Sequence, residues 1–564
     1  MVVRVWISCT YKCSLSPVWR ECSASRHREE APSLHFHAPR LHPESAWTCD
    51  FTGEYVHINL TGNRNPAPDI IQPSFVSNPL KMTQKFIAKK EFTAADQVFF
   101  AELSGDRNPI HMDRMAARRT QAGALIVHGI HSLLWSVEAF AAGDPNLPRI
   151  NTLKGTFAKM VYVGDTLSLF LSQLHDTSFR LEAKVDEVSV LRLSGTLGPA
   201  SPPPDSILDC SHELIRPSAP MDLRWENIGR QSGCVARASS RKAFEGFPAA
   251  SRLLGENRIA AIASSSFVVG MVCPGLHSIL SSVSIAIHEE KSGPDVVAFR
   301  VANTDPRFRL VRLNFSASGI SGSIDSFARM PPVSQLSIAE VSRLVAPKEF
   351  AGAKALVVGG SRGLGELTAK IIAAGGGQLV STYATGRTEA ERIQSEIAEW
   401  GGRCGVRPYD VNLDPDAQLS ALADDITSLY YFATPTISRR KLNLFSEERF
   451  REFVNFYVVG FHRLCESIVK QQKLKRLCVF YPSTVFIDSR PADMTEYVMA
   501  KSAGEVLCAE LNAQAAPLHV IVSRLPRLLT DQTATVMPVK TPDAIQVMLP
   551  IVREVERYGS EAEK

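Results

Sequence analysis

Apolar residues along this chain follow two different rhythms. From Phe92 onward they first recur at helical spacing: Thr93 is a cap, Asp96 is the favoured acid three residues on, and Phe99 and Leu103 share a face until Ser104-Gly105 stops the helix. A second helix is predicted over 129–141, rich in Leu133, Leu134, Trp135, Val137 and Phe140. The rhythm then changes to alternation. Gly155-Thr-Phe-Ala-Lys-Met-Val-Tyr-Val163, Thr166-Leu-Ser-Leu-Phe-Leu171 and Phe179-Arg-Leu-Glu-Ala-Lys-Val185 predict strands of a sheet with one buried face. Ser201-Pro-Pro-Pro-Asp205 reads as a linker, and a similar order then recurs. Arg258-Ile-Ala-Ala-Ile262 leads to a helix over 268–280, and strand-like runs begin at Val283, Asp295 and Phe308. From Ala353 to the end, strands and helices alternate as in a parallel doubly wound sheet.

These rhythms predict a multidomain α+β and α/β chain: a disordered extension over 1–80, similar helix-on-sheet units over 81–200 and 201–347, and a Rossmann-type domain over 348–564. Composition adds little, with 45% hydrophobic and 21% charged residues and a net charge of +4, which gives no reason to invoke nucleic acid. No apolar run approaches the roughly 18 residues that span a bilayer. The start, Met-Val-Val-Arg-Val-Trp-Ile, is too short an apolar core for a secretory signal, so a cytoplasmic protein is expected. Four of the eleven cysteines (Cys9, Cys13, Cys22 and Cys49) fall near His27, His35, His37 and His42, without the C-x-x-C spacing of common zinc sites. Reduced thiols and no metal are expected there.

The first chemistry lies in Leu103-Ser-Gly-Asp106-Arg-Asn-Pro-Ile-His111. A carboxylate and an imidazole in one turn can share a water, one taking its proton while the other serves the neighbouring carbon. His128-Gly129 opens the next helix, where free N–H groups and the positive dipole end can hold a developing oxyanion. The string from Phe100 through Asp106, His111 and Asp113, followed by Ile126-Val-His-Gly129, resembles the MaoC-like (R)-specific enoyl-thioester hydratase family, which has a hotdog fold, over about residues 85–200. The resemblance implies that Asp106 and His111 are the catalytic pair and that the Gly129 N–H is the oxyanion donor. Asn108 would shape the loop, Asp113 would be structural, and His131 would be packing or surface. Residues 211–345 look like a second, non-catalytic hotdog unit that shapes an acyl tunnel, giving a double hotdog. His277, after Pro274-Gly275, is a minor candidate in it.

The second chemistry begins at Gly359-Gly-Ser361-Arg362-Gly363-Leu364-Gly365, directly after the apolar run Ala355-Leu-Val-Val358. Its glycines suit a tight turn, a diphosphate approach and close helix–strand packing. Downstream, Tyr497-Val-Met-Ala-Lys501 places a phenol and an amine on one helix face. Together these resemble the short-chain dehydrogenase/reductase family over about residues 350–535. The resemblance implies that Tyr497 protonates a carbonyl, that Lys501 tunes the phenol and holds the ribose, and that a hydroxyl from Ser483 or Thr484, with Ser483 preferred, binds the substrate oxygen. Asp410-Val411 resembles the adenine-contacting pair, and Ser361 and Leu364 belong to the cofactor turn. No acid follows Gln378-Leu-Val-Ser-Thr-Tyr383 to hold a ribose 2′-hydroxyl, whereas Arg362 and Arg387 could meet a 2′-phosphate, so NADP(H) is expected. The family's Asn-Ala-Gly is replaced by Phe432-Ala-Thr-Pro435. Tyr457 stands at its catalytic asparagine, with Asn455 two positions away, and the segment after Pro526 is too short for a large lid.

The two chemistries fit end to end. Reduction of a 3-oxoacyl thioester gives the 3-hydroxyacyl thioester whose dehydration gives the trans-2-enoyl thioester; the alternatives are a monofunctional hydratase whose C-terminal half is a nucleotide-binding scaffold, and a non-catalytic acyl-binding module. The expected partners are acyl-CoA or an acyl-carrier-protein thioester, and self-association into a homo-oligomer is expected from both resemblances.

Overall fold

The computed structural model describes residues 84–560, apart from 203–207, 209, 211–212, 291–293, 318, 421–425, 438–444, 473–475, 515–516 and 536–538, together with the strands Cys49–Thr52 (β1) and Tyr55–Ile58 (β2). β1 and β2 pair antiparallel, Thr52 opposite Tyr55. These two strands fall within the region expected to be an extension. The rest of 1–80, including Cys9, Cys13 and Cys22, lies outside the described residues.

The following strands are Lys85–Glu91 (β3), Ile150–Phe157 (β4), Thr166–His175 (β5), Ser178–Val185 (β6) and Val188–Leu197 (β7). Next come Ser232–Ala236 (β8), Ser278–Ile287 (β9), Val296–Asp305 (β10), Leu310–Ala317 (β11) and Ile320–Ala328 (β12). All ten form one sheet in the order β3-β5-β6-β7-β4-β9-β12-β11-β10-β8. Within each group of five the order is first, third, fourth, fifth, second, and the two groups meet at the antiparallel seam β4–β9, Thr152 opposite Ala286. The recurrence in the sequence is therefore a double hotdog.

Alternation explains the strands. Phe179, Leu181, Ala183 and Val185 on β6 are buried toward one core, while the residues between them are more exposed. The helix Gly129–Gly143 lies on that buried face: a Cβ at Gly155 of β4 would meet Leu133 at 2.6 Å. In the second group the helix Glu256–Phe267 continues as a π-turn, Val268–Val272. The helix expected over 268–280 ends there, because Pro274 lacks an N–H and Gly275 has φ +76°, and β9 begins at Ser278. Cys234 on β8 is disulfide-bonded to Cys210.

The C-terminal half contains Lys354–Val358 (β13), Gln378–Tyr383 (β14), Arg403–Pro408 (β15), Ser428–Tyr431 (β16), Leu477–Thr484 (β17) and Leu518–Leu525 (β18). They form a parallel sheet in the order β15-β14-β13-β16-β17-β18, with apolar clusters on both faces. The order reverses between β13 and β16, which is where an open α/β sheet forms its ligand crevice. Ile338, Val341 and Val345 already belong to this core, ahead of 348. Among the described residues, no helix is long and apolar enough to cross a membrane.

Candidate active sites

The helix Ala94–Ser104 begins with a complete capping box: the Thr93 N–H donates to Asp96 at 2.8 Å, and the Thr93 hydroxyl accepts from the Asp96 N–H. It ends at Gly105, whose φ of +81° lets its N–H close back on Ala101. A Cβ there would also meet Phe267 of the second hotdog at 2.9 Å. This stop aims Asp106 inward, where it is only 2% exposed. One carboxylate oxygen accepts the Asn108 N–H at 3.1 Å; the other accepts the Ser266 hydroxyl at 2.7 Å. Asn108 caps the short helix Pro109–Met112 that carries His111, and its amide donates to Gly270 O and Gly275 O.

His111 Nδ1 lies 2.8 Å from Ile126 O. A carbonyl only accepts, so Nδ1 carries the proton and Nε2 is left bare as a base. His128 stacks on His111 at 3.9 Å and spends its own Nε2–H on Asp106 O. Ligand atoms of Asp106, His111 and His128 all lie within 4.8 Å of one another, a gap one water bridges. With both carboxylate oxygens and one nitrogen of each imidazole already engaged, the geometry suits proton transfer. Burial pushes the Asp106 carboxyl above the usual carboxylate range, opposed by His111, Ser266 and the Asn108 N–H. Burial also lowers His111, opposed by Asp106 and Ile126. Gly129 is the first residue of its helix, so its N–H has no partner within the helix. Leu280 and Phe157 close over it, at 2.8 and 3.2 Å from where a Cβ would stand.

The structure thus brings Asp106, His111 and Gly129 into one region and separates the other candidates from it. Asp113 caps the helix Arg114–Arg118. His131 is packing: it stacks on Phe100 at 4.7 Å, and burial takes it down to about 3. His277 pairs with Asp222 at 3.2 Å. The sequence reading missed Ser266 and Gly270, which belong to the second hotdog. A Cβ at Gly270 would meet Asp106 Oδ1 at 2.3 Å, so only glycine lets the carboxylate in. A signal was present in the run Ser264-Ser265-Ser266 within an apolar helix. Ser264 and Ser265 bond their own helix backbone, and Ser266 alone reaches Asp106. Ser266→Ala is expected to lower kcat/KM for any proton transfer through Asp106 about tenfold, the worth of a hydrogen bond to a charged group. Its bond lowers the Asp106 pKa, so removing it should move the acid limb of the pH profile to higher pH. A pH–rate comparison with the parent checks this, and an unmoved limb would contradict it.

In the C-terminal half the glycine turn has the geometry of a nucleotide cradle. Gly359 has φ +80°, a Cβ there would stand 3.0–3.1 Å from the Phe432 and Ala433 backbone, and a Cβ at Gly365 would strike Gly359 O. The helix Gly363–Ala374 starts without a side-chain cap, leaving its first N–H groups for an anion. These residues fit a dinucleotide. Gly365→Ala is expected to destabilise this half by about 1–3 kcal/mol and to end nucleotide binding. Calorimetric titration with NADPH, alongside a thermal melt, checks both; unchanged binding would refute the cradle. Ser361 is buried and Leu364 packs on the core of this half. Asp410 accepts from the Asn412 N–H at 2.9 Å, and Val411 is buried beside Gly460.

Tyr497 and Lys501 share the helix Thr495–Ala513. Burial raises Tyr497 to about 12, moderated by a hydrogen bond with Thr484, so it is a phenol near neutral pH. Ser483 instead donates to Glu505. The hydroxyl beside Tyr497 is therefore that of Thr484 and not that of Ser483: neighbours on a strand point to opposite faces. Lys501 Nζ donates to Pro482 O at 2.6 Å and lies 3.9 Å from the ring centre of Tyr457, and burial lowers it to about 7. Asn455 turns away to Asn412 at the π-turn Asn455–Val459, leaving Tyr457 inside. Arg387 is also turned out, paired with Glu391 at 2.7 Å.

Residues 75–193 match the family described as MaoC like domain. The chain contains a MaoC-like domain. A 3-hydroxybutyryl-CoA dehydratase from Methylorubrum extorquens is 50% identical over 46 residues, 8% of this chain and 29% of the relative, so the match spans under a third of that protein. The uncharacterized oxidoreductase YgfF of Escherichia coli is 24% identical over 179 residues, 30% of this chain and 72% of the relative. A solved structure described as a short chain dehydrogenase, from Pseudomonas syringae, is 17% identical over 38% of this chain and 92% of that chain, with a TM-score of 0.34.

Proposed function

We propose that this chain is a bifunctional acyl-thioester enzyme, reducing a 3-oxoacyl thioester with NADPH and dehydrating the resulting (R)-3-hydroxyacyl thioester to the trans-2-enoyl thioester. The acyl group would ride on coenzyme A or an acyl carrier protein, in a cytoplasmic homo-oligomer. The observation that carries the reading is the Asp106–His111 couple, buried, bridged by the space of one water and braced by Ser266. In the dehydration direction one member removes the proton at C2 while the other protonates the departing hydroxyl, so the products are an alkene and water. The Gly129 N–H stabilises the thioester oxygen as charge gathers on it.

In the other half, a nicotinamide dinucleotide supplies hydride to the carbonyl carbon when bound. Thr484 holds the carbonyl oxygen, Tyr497 gives it a proton, and the product is the 3-hydroxyl. Burial favours this direction of proton flow, because Tyr497 is kept as the phenol.

A second reading, a monofunctional hydratase with a nucleotide-binding scaffold, is favoured by one observation: Lys501 is engaged by Pro482 O and the Tyr457 and Tyr481 rings rather than by an asparagine-lined relay. The test is an assay with NADPH and 3-oxoacyl thioesters that follows nicotinamide absorbance. Oxidation supports the first reading. Hydration of enoyl thioesters with no oxidation, across chain lengths and carriers, leaves the second.

A further inference from the structure

The MaoC-like domain reaches into the nucleotide crevice. The segment between His111 and Gly129 docks on the C-terminal half through the helix Arg114–Arg118 and the residues after it. Arg362, in the glycine turn, donates to Arg118 O at 2.8 Å and pairs with Asp531 at 3.5 Å; Arg119 pairs with the same Asp531 at 3.4 Å. Beyond this anchor the Arg118 guanidinium lies over Gly386, just past the end of β14. A Cβ at Gly386 would stand 2.8 Å from Arg118 Nη1, 3.0 Å from Ser361 Oγ and 3.1 Å from Glu389 Oε2.

Gly386 and Ser361 mark the corner between the glycine turn and the end of the second strand, where a dinucleotide places its adenosine ribose. Arg387, the residue of this corner expected to meet a 2′-phosphate, is turned out to solvent with Glu391. Arg118 faces it instead. Arg118 Nη1 and Glu389 Oε2 are buried, and neither has a hydrogen-bond partner among the described residues. Glu389 Oε1 is 3.7 Å from that nitrogen, close enough to orient the guanidinium without using its N–H. The corner thus holds two guanidinium groups, those of Arg118 and Arg362, against Glu389.

We propose that Arg118, supplied by the MaoC-like domain, binds the ribose 2′-phosphate of NADP(H) in the C-terminal half, so that cofactor choice is made by a residue outside the nucleotide-binding fold. This rests on the reading of that half as a dinucleotide site. An unspent N–H donor over the ribose corner gives the phosphate a charge-assisted bond that a 2′-hydroxyl does not return with equal strength.

The test is calorimetric titration of the full chain with NADPH, NADH and 2′,5′-ADP, using the wild type, Arg118→Ala, Arg118→Gln and Arg119→Ala. Both Arg118 variants should bind NADPH and 2′,5′-ADP about tenfold or more weakly, with NADH affinity unchanged. Arg119→Ala loosens the same interface without facing Gly386, so its ratio of NADPH to NADH affinity should match wild type. Unchanged NADPH affinity in the Arg118 variants, or a parallel loss of NADPH and NADH, would overturn the assignment while leaving the dinucleotide reading intact. A wild type that prefers NADH would also overturn it, with Glu389 then accepting the ribose hydroxyl. A wild type that binds neither nucleotide would remove the dinucleotide reading, and the assignment with it.

Discussion

Asp106→Asn is expected to lower dehydratase kcat by roughly a thousandfold, within the range that positioned acid–base groups contribute. The replacement is isosteric. Its amide oxygen can still accept from the Asn108 N–H, and the Ser266 hydroxyl can rotate to accept from the amide nitrogen. The packing against Gly270, which leaves no room for a larger group, is preserved as well. What is lost is the carboxylate's capacity to carry a proton. Hydration of a trans-2-enoyl thioester, followed with a thermal melt, separates chemistry from folding. A near-normal melt with a rate within tenfold of wild type would show that the water is not activated by Asp106.

Tyr497→Phe is expected to lower NADPH oxidation by a similar factor and to leave enoyl hydration unchanged. Phenylalanine keeps the edge-on contacts with Phe453 and Tyr457, each 5.7 Å between ring centres, so the core of this half survives. Only the hydroxyl paired with Thr484 disappears. Stopped-flow nicotinamide absorbance measures the first effect and enoyl consumption the second. If the variant oxidises NADPH at the wild-type rate, the proton comes from elsewhere, and the scaffold reading gains.

What the sequence made legible was local. Asp106 and His111 are five residues apart, just past the end of one helix and on the short helix that follows, and the glycine turn lies within one strand–helix junction, so both are written in nearly consecutive residues. The double hotdog was visible as a repeated order of helix and strands, because burial on one sheet face imposes alternation whatever the exact residues. Missing were the contacts between distant segments. Ser266 and Asp106 are 160 positions apart, and Arg118 and Arg362 are 244 apart, so no local pattern links them. Ser483 and Thr484 are adjacent strand residues that differ only in the face they present, and the sequence does not show which of them faces Tyr497. Arg387 was misplaced for a similar reason: at the start of an exposed helix it faces Glu391 one turn on.

The most direct measurement is mass-spectrometric analysis of the acyl products after a 3-oxoacyl thioester and excess NADPH are incubated with wild type, Asp106→Asn and Tyr497→Phe. Enoyl thioester is expected from wild type, accumulated (R)-3-hydroxyacyl thioester from Asp106→Asn, and unreacted 3-oxoacyl thioester from Tyr497→Phe. Unreacted 3-oxoacyl thioester from all three chains, or enoyl product from both variants, would contradict two sites working in sequence on one chain.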